Sequence, residues 1–250
     1  MDKETKTIIL ISTQTSATGS ICRIINKLNK SNRKFLTFGK EKIDIIGKRF
    51  EDIPKYNHIV LHNRPDFLRM LKNPEDYRYI VNFRDPRDRL CNSFHWMQQH
   101  PFHPGESKDE INKRKDEIEK LGIDNWVIQN IKPQYESFLF DFIIKNNNCD
   151  MTFATYAELC LNFDRFLLKV STFLDEKIDA QTYKELDSER CDNLHQNKEW
   201  IGGRWKGADI LPGRHKNELN ETTISVLNEK YKSVLNNMSK YDNENSLSYK

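Results

Sequence analysis

At 250 residues, with 37% apolar and 31% charged side chains, the chain has the composition of a globular protein and not of a disordered or fibrous one. A net charge of +3 gives no extended nucleic-acid surface, and no apolar run approaches the ~20 residues that span a bilayer. The five cysteines, Cys22, Cys91, Cys149, Cys160 and Cys191, are odd in number and lack Cys-x-x-Cys spacing, which favours reduced thiols over disulfides or zinc.

The polar start Met1 to Lys6 leads directly into an apolar run, Thr7 to Ile11, so no secretory signal is expected. The expectation is one cytoplasmic α/β domain over 1–250, with a polar tail from about 241 to 250. Thr7 to Ile11 reads as a buried strand. It empties into Ser12-Thr13-Gln14-Thr15-Ser16-Ala17-Thr18-Gly19-Ser20, a run of small hydroxyl residues ahead of an amphipathic helix, Ile21 to Leu28. Gly19 permits close backbone approach, and hydroxyls and N–H groups at a helix N-terminus suit an oxyanion. A Ser/Thr loop also caps helices with no ligand at all. The loop lacks the Gly-Lys-Ser/Thr ending of a nucleotide-triphosphatase P-loop, which disfavours ATP or GTP hydrolysis.

A second strand, Asn57 to Leu61, ends at His62, with Arg64 two residues on. A histidine at a strand end titrates where proton transfer near neutrality is useful. The third strand, Tyr79 to Phe83, runs straight into Arg84-Asp85-Pro86-Arg87-Asp88-Arg89 and on through Asn92-Ser93. Pro86 is placed for the first turn of a helix. Arg84 therefore sits at the carboxyl end of a strand, where open α/β sheets bind ligands. The spacing between His62 and Arg84 fits one crossover helix plus a strand, so both can converge on one edge. The basic residues Arg84, Arg87, Arg89, Arg204, Lys206, Arg214 and Lys216 fit a compact polyanion such as a nucleotide bisphosphate.

Downstream, Gly105 to Leu121 pairs opposite charges four residues apart and reads as an exposed helix. His95, Trp96, His100, Phe102 and His103 just before it line an acceptor pocket or belong to the core. The His100/His103 pair has no third ligand nearby, so no metal is expected. Trp126 to Ile144 reads as one long amphipathic helix, Met151 onward as a strand ending near Tyr156, and Phe163 to Leu174 as a further helix. Asn193 to Gly213 reads as a basic loop able to close over a nucleotide. Thr222 to Leu235 reads as the last long helix.

Taken in order, these segments resemble the sulfotransferases that use 3′-phosphoadenosine 5′-phosphosulfate (PAPS), of the soluble bacterial or viral type. Ala17-Thr18-Gly19-Ser20 is similar to the family's Lys-Ser-Gly-Thr-Thr-type loop, Leu61-His62 to its Thr-His, and Arg84 through Asn92-Ser93 to its Arg-Asn/Asp-Pro-x-Asp…Ser. Tyr156-Ala157-Glu158-Leu159 resembles Tyr-Glu-x-Leu. Arg204-Trp205-Lys206-Gly207 and Gly213 to Leu219 resemble the C-terminal Arg-Lys-Gly and Gly-x-Trp-Lys-Asn-x-Phe region.

The resemblance implies a central parallel sheet flanked by helices, a P-loop-like sulfotransferase fold, and PAPS as co-substrate with adenosine 3′,5′-bisphosphate as product, with no metal. It implies that Thr15, Ser16, Ala17, Thr18, Gly19 and Ser20 hold the phosphosulfate. Arg84, with Asn92 or Ser93 and with Arg204, Lys206 and Gly207, would take the 3′-phosphate, and Tyr156 the adenine. His62 would be the base, and the partner a small-molecule or glycan acceptor, with no nucleic acid and no membrane span; oligomeric state is not indicated. Two departures stand out. Ala17 occupies the place of a lysine or arginine beside the leaving phosphate, with Arg23 and Arg64 as candidate substitutes, and the 3′-phosphate serine falls on Asn92 with Ser93 one place later. A domain that holds the nucleotide or a sulfated ligand without turnover is the competing implication.

Overall fold

Short apolar runs that are buried on both sides favour parallel strands, and three of the five strands here carry one. A computed structural model describes residues 5–31, 33–36, 53–62, 68–69, 71–99, 107–191 and 210–242, with backbone alone at 62 and 99. Its strands are β1 (Ile8–Ser12), β2 (Lys34–Leu36), β3 (His58–His62), β4 (Arg78–Asn82) and β5 (Met151–Phe153). They pair in the order β2-β3-β1-β4-β5, every ladder parallel. The expected central parallel sheet is therefore present, with β1 in the middle.

Helices follow as α1 (Thr18–Leu28), α2 (Pro86–Gln99), α3 (Lys108–Gln129), α4 (Gln134–Lys145), α5 (Tyr156–Leu161) and α6 (Phe163–Leu174). The remainder are α7 (Ala180–Leu186), α8 (His215–Glu218), α9 (Glu221–Lys230) and α10 (Lys232–Tyr241). Side chains alternate across β1. Ile8 and Leu10 pack with Ile59, Leu61 and Ile80 beneath Ile21, Ile24 and Ile25 of α1 and Phe166 and Val170 of α6. Ile9 and Ile11 face the other way, with Val60, Tyr79 and Val81 against Leu90, Leu139, Phe140 and Leu235. Each fully buried aliphatic side chain contributes about 1.5–3 kcal/mol, so a charge introduced at any one of these β1 positions would disrupt the core on its own face of the sheet. No helix among the described residues is long and apolar enough to cross a membrane, and the five cysteines form no disulfide.

Three helix boundaries depart from the sequence reading. The expected helix Trp126 to Ile144 is two helices, because Pro133 has no N–H to continue a ladder and the Asn130 side chain bonds Trp126 O at 2.7 Å. The expected helix Thr222 to Leu235 breaks at Tyr231, whose ring is fully buried while its hydroxyl accepts the Lys132 N–H at 3.2 Å. The last described helix also reaches into the first residue of the segment expected as a polar tail. Tyr241 closes α10 and stacks on Phe153 at 4.5 Å, and Asp242 accepts a bond from Thr155 Oγ1 at 2.8 Å. The charged helix starts at Lys108 with a reciprocal Ser107–Glu110 cap, and bends where Gly122 adopts φ 72°. Between β3 and β4 a short 3-10 turn, Pro74–Asp76, stands among the described residues where a crossover helix was expected.

Candidate functional site

Parallel pairing places the carboxyl ends of all five strands on one edge. β1 gives way there to the hydroxyl loop, β4 to Arg84, β5 to Thr155-Tyr156, and β3 ends at His62, which is registered beside Ile11 of β1. The loop turns sharply, with Thr15 at φ 58° and Ala17 at φ 57°. Left-handed backbone at a non-glycine residue costs about 1–2 kcal/mol, and bonds inside the loop hold it. Ser12 Oγ and Thr18 Oγ1 lie 2.7 Å apart, and Thr13 Oγ1 and Ser16 Oγ 2.6 Å apart. Asn82 fastens the whole turn, donating to Ser12 Oγ at 2.8 Å and to Ser16 O at 2.7 Å.

The first bond of the α1 ladder is Ile21 N–H to Ala17 O. The amides of Thr18, Gly19 and Ser20 thus precede the ladder and form the usual anion-attracting helix end. Most of the expected phosphate-binding hydroxyls are spent internally. Ser16 is fully buried on Thr13, Thr18 is bonded to Ser12, and Ser20 Oγ accepts from Arg23 at 3.0 Å. Thr15 Oγ1, by contrast, is buried with no partner among the described residues.

Arg84 is 3% exposed. Its Nη1 donates to Thr15 O at 3.0 Å, and its guanidinium carbon lies 4.1 Å from the centre of the Tyr156 ring. Nε and Nη2 are buried without a hydrogen-bond partner among the described residues. Buried cationic N–H groups are nearly always bonded, so an unmet pair is costly and marks a site waiting for an acceptor. Burial pushes the Tyr156 phenol well above its ordinary range, so it stays a neutral donor, bonded to Ile210 O.

The rest of the basic cluster departs from expectation. Arg87 forks onto Asp85 at 2.7 Å and reaches Asn228 at 2.6 Å, and Arg89 pairs with buried Glu136 at 2.6 Å. Arg214 pairs with Glu218 at 2.6 Å and donates to Asn92 Oδ1 at 3.3 Å. These are internal ion pairs, since ions without water need carboxylates in place of it. Arg23 is likewise held by both oxygens of Glu189, at 2.6 and 2.9 Å, which removes it as a stand-in for the missing loop cation.

Asp85, Asp88 and His215 converge, and the oxygens of both carboxylates already have donors. Asp88 takes the Gly213 N–H at 2.6 Å and His215 Nδ1 at 2.5 Å, and Asp85 takes Arg87. Burial pushes the Asp88 carboxyl up, yet His215 and the Arg84 charge outweigh it and hold it below the usual carboxylate range. The cluster docks α8 onto α2.

Beside the loop lies a cavity of about 830 Å³. Gln14, Thr15 and Thr18 form one side, Leu90, Ser93, Trp96 and Met97 of α2 another, and Trp126, Asn130, Lys132 and Tyr135 the far wall. Ser93 and Trp96 line this cavity, whereas His95 bonds Glu218 at 2.9 Å. Arg64, His100, Phe102, His103, Arg204, Lys206 and Gly207 lie outside the described residues. Sequence reasoning missed Asn82, Lys132 and Tyr135. The one available signal was a polar Asn82 inside an otherwise apolar strand end.

No known family model matches the chain, and no curated protein matches its sequence. Its structure is similar to that of mouse sulfotransferase SULT7A1 complexed with PAP, with 13% identity and a TM-score of 0.59, covering 97% of this chain and 87% of that one. It is also similar to retinol dehydratase in complex with retinol and PAP, with 13% identity and a TM-score of 0.54, covering 92% and 81%. The chain therefore has the sulfotransferase fold: a central parallel sheet flanked by helices.

Proposed function

We propose that the chain binds PAPS across the carboxyl edge of the sheet and moves its sulfonate to an acceptor hydroxyl or amine, releasing adenosine 3′,5′-bisphosphate. One observation carries this reading: Arg84, almost fully buried, has two guanidinium nitrogens without an acceptor among the described residues, next to a helix N-terminus. A phosphate oxygen would satisfy both donors by charge-assisted bonds. In this reading Arg84, the Ser93 hydroxyl or the Asn92 amide, and Arg204, Lys206 and Gly207 take the 3′-phosphate. Tyr156, already under the guanidinium, lies toward the adenine. Thr15 to Ser20 hold the phosphosulfate through the amides of Thr18, Gly19 and Ser20 and the unpartnered Thr15 hydroxyl.

His62, at the end of β3, takes the proton from the acceptor as its oxygen or nitrogen forms a bond to sulfur. The bond from sulfur to the bridging phosphate oxygen breaks in line with that attack, and the electron pair leaves with the nucleotide. Arg64 is a candidate to meet that charge. Most of the gain comes from positioning and neutralisation, as in phosphoryl transfer. A second reading, binding without turnover, is favoured by Ala17, which puts a methyl group where a cation would serve the leaving oxygen.

Calorimetry with adenosine 3′,5′-bisphosphate tests the site. Arg84→Ala is expected to weaken binding by roughly tenfold to a hundredfold, the worth of one or two hydrogen bonds to a charged group. Equal affinity in wild type and variant removes the assignment. Labelled PAPS with an acceptor panel then separates transferase from binding protein.

A further inference from the structure

The loop holds a strongly negative group in the proposed reading, yet its own side chains carry no charge. Among the described residues the nearby arginines are committed elsewhere. Arg23 is locked to Glu189, Arg87 to Asp85 and Arg89 to Glu136, while Arg84 is fixed against Thr15 O and Tyr156. Lys132 differs from all of them. It lies in the turn between α3 and α4, is exposed, and lines the same cavity as Thr15 and Thr18. Among the described residues no carboxylate pairs with it.

The turn that carries it is fastened at both ends of the approach. Its backbone N–H donates to the Tyr231 hydroxyl at 3.2 Å, and Tyr135, three residues on, accepts the Gln14 N–H of the loop at 3.1 Å. The turn that carries Lys132 is therefore tied to the loop across the cavity by bonds that the Lys132 side chain does not enter. An ammonium on a four-carbon stem reaches a phosphate as a point charge and needs no preset fork.

Resting on the PAPS reading above, we propose that Lys132 supplies from the α3–α4 turn the charge that the loop lacks at Ala17, and binds the 5′-side phosphate of the nucleotide. Arg84 then serves one phosphate and Lys132 the other.

The experiment titrates adenosine 3′,5′-bisphosphate and adenosine 3′-phosphate separately into wild type, Lys132→Met and Lys132→Arg at low ionic strength. The expected result is a loss of roughly tenfold in Lys132→Met for the bisphosphate alone, with Lys132→Arg close to wild type. Adenosine 3′-phosphate should bind wild type and Lys132→Met alike. An equal loss for both nucleotides, or none for either while wild type still prefers the bisphosphate, overturns the role of Lys132 and leaves the PAPS reading standing. Wild type that binds neither nucleotide overturns both.

Discussion

Replacing Arg84 with methionine should make the ligand-free protein more stable while removing its nucleotide affinity. The guanidinium is 3% exposed and leaves Nε and Nη2 without partners. Each such buried donor costs about 1–3 kcal/mol. Against this stand one charged bond, Nη1 to Thr15 O, contributing about 1.5–3 kcal/mol, and a contact with the Tyr156 ring at 4.1 Å, contributing about 0.5–2 kcal/mol. The two sides nearly cancel, and methionine adds apolar burial without any polar demand. The net expectation is a gain of about 1–2 kcal/mol, which for a chain of this size raises Tm by roughly 2–8 °C. Thermal unfolding with and without adenosine 3′,5′-bisphosphate reads both halves: Arg84→Met should melt higher alone and fail to respond to ligand. A variant destabilised by more than about 2 kcal/mol would mean that those N–H groups serve the fold. The idea that a ligand completes them would then be wrong.

Two further outcomes follow from the same geometry. His62→Ala should lower sulfonate transfer by about a hundredfold or more and leave bisphosphate affinity nearly unchanged, because a general base acts on the transition state; single-turnover assays and calorimetry measure the two, and undiminished transfer would assign the base elsewhere. Asp88, held below its ordinary value near 3.8, contributes stability that is present above that value and lost as pH falls through its lower folded value. Asp88→Asn should therefore destabilise the chain at pH 7 in urea unfolding, by about 1–3 kcal/mol, and the gap should narrow below pH 3.8; a gap independent of pH would show that packing, not charge, is lost.

What the sequence made legible was short-range. β1, β3 and β4 could be read because each is a brief apolar run ending in polar residues, and Pro86 fixes the start of α2. The parallel order was reachable only through the resemblance of the motifs. The helix boundaries at Asn130–Pro133 and Tyr231 were not, for different reasons. Pro133 was visible, but an apolar rhythm on both sides hid the break. Tyr231 breaks its helix because burying the ring while bonding Lys132 N–H is a tertiary demand with no local signature.

The site divides along the same line, and charge shows why. A run of arginines and aspartates reads identically whether its members bind a ligand or one another. Arg84 and Arg87 are three residues apart and both are buried, yet Asp85 satisfies Arg87 and leaves Arg84 alone. Which arginine is left without a partner depends on residues such as Glu136 beside Arg89 and Asn228 beside Arg87, both distant in sequence. Among the described residues, such partners leave the expected basic cluster one open guanidinium, Arg84, and the loop one unpartnered buried hydroxyl, Thr15. A site with so few committed donors binds by the placement of single charges more than by a broad positive field. Its response to added salt should accordingly be shallow for a bis-anionic ligand, since buried contacts are screened far less than exposed ones.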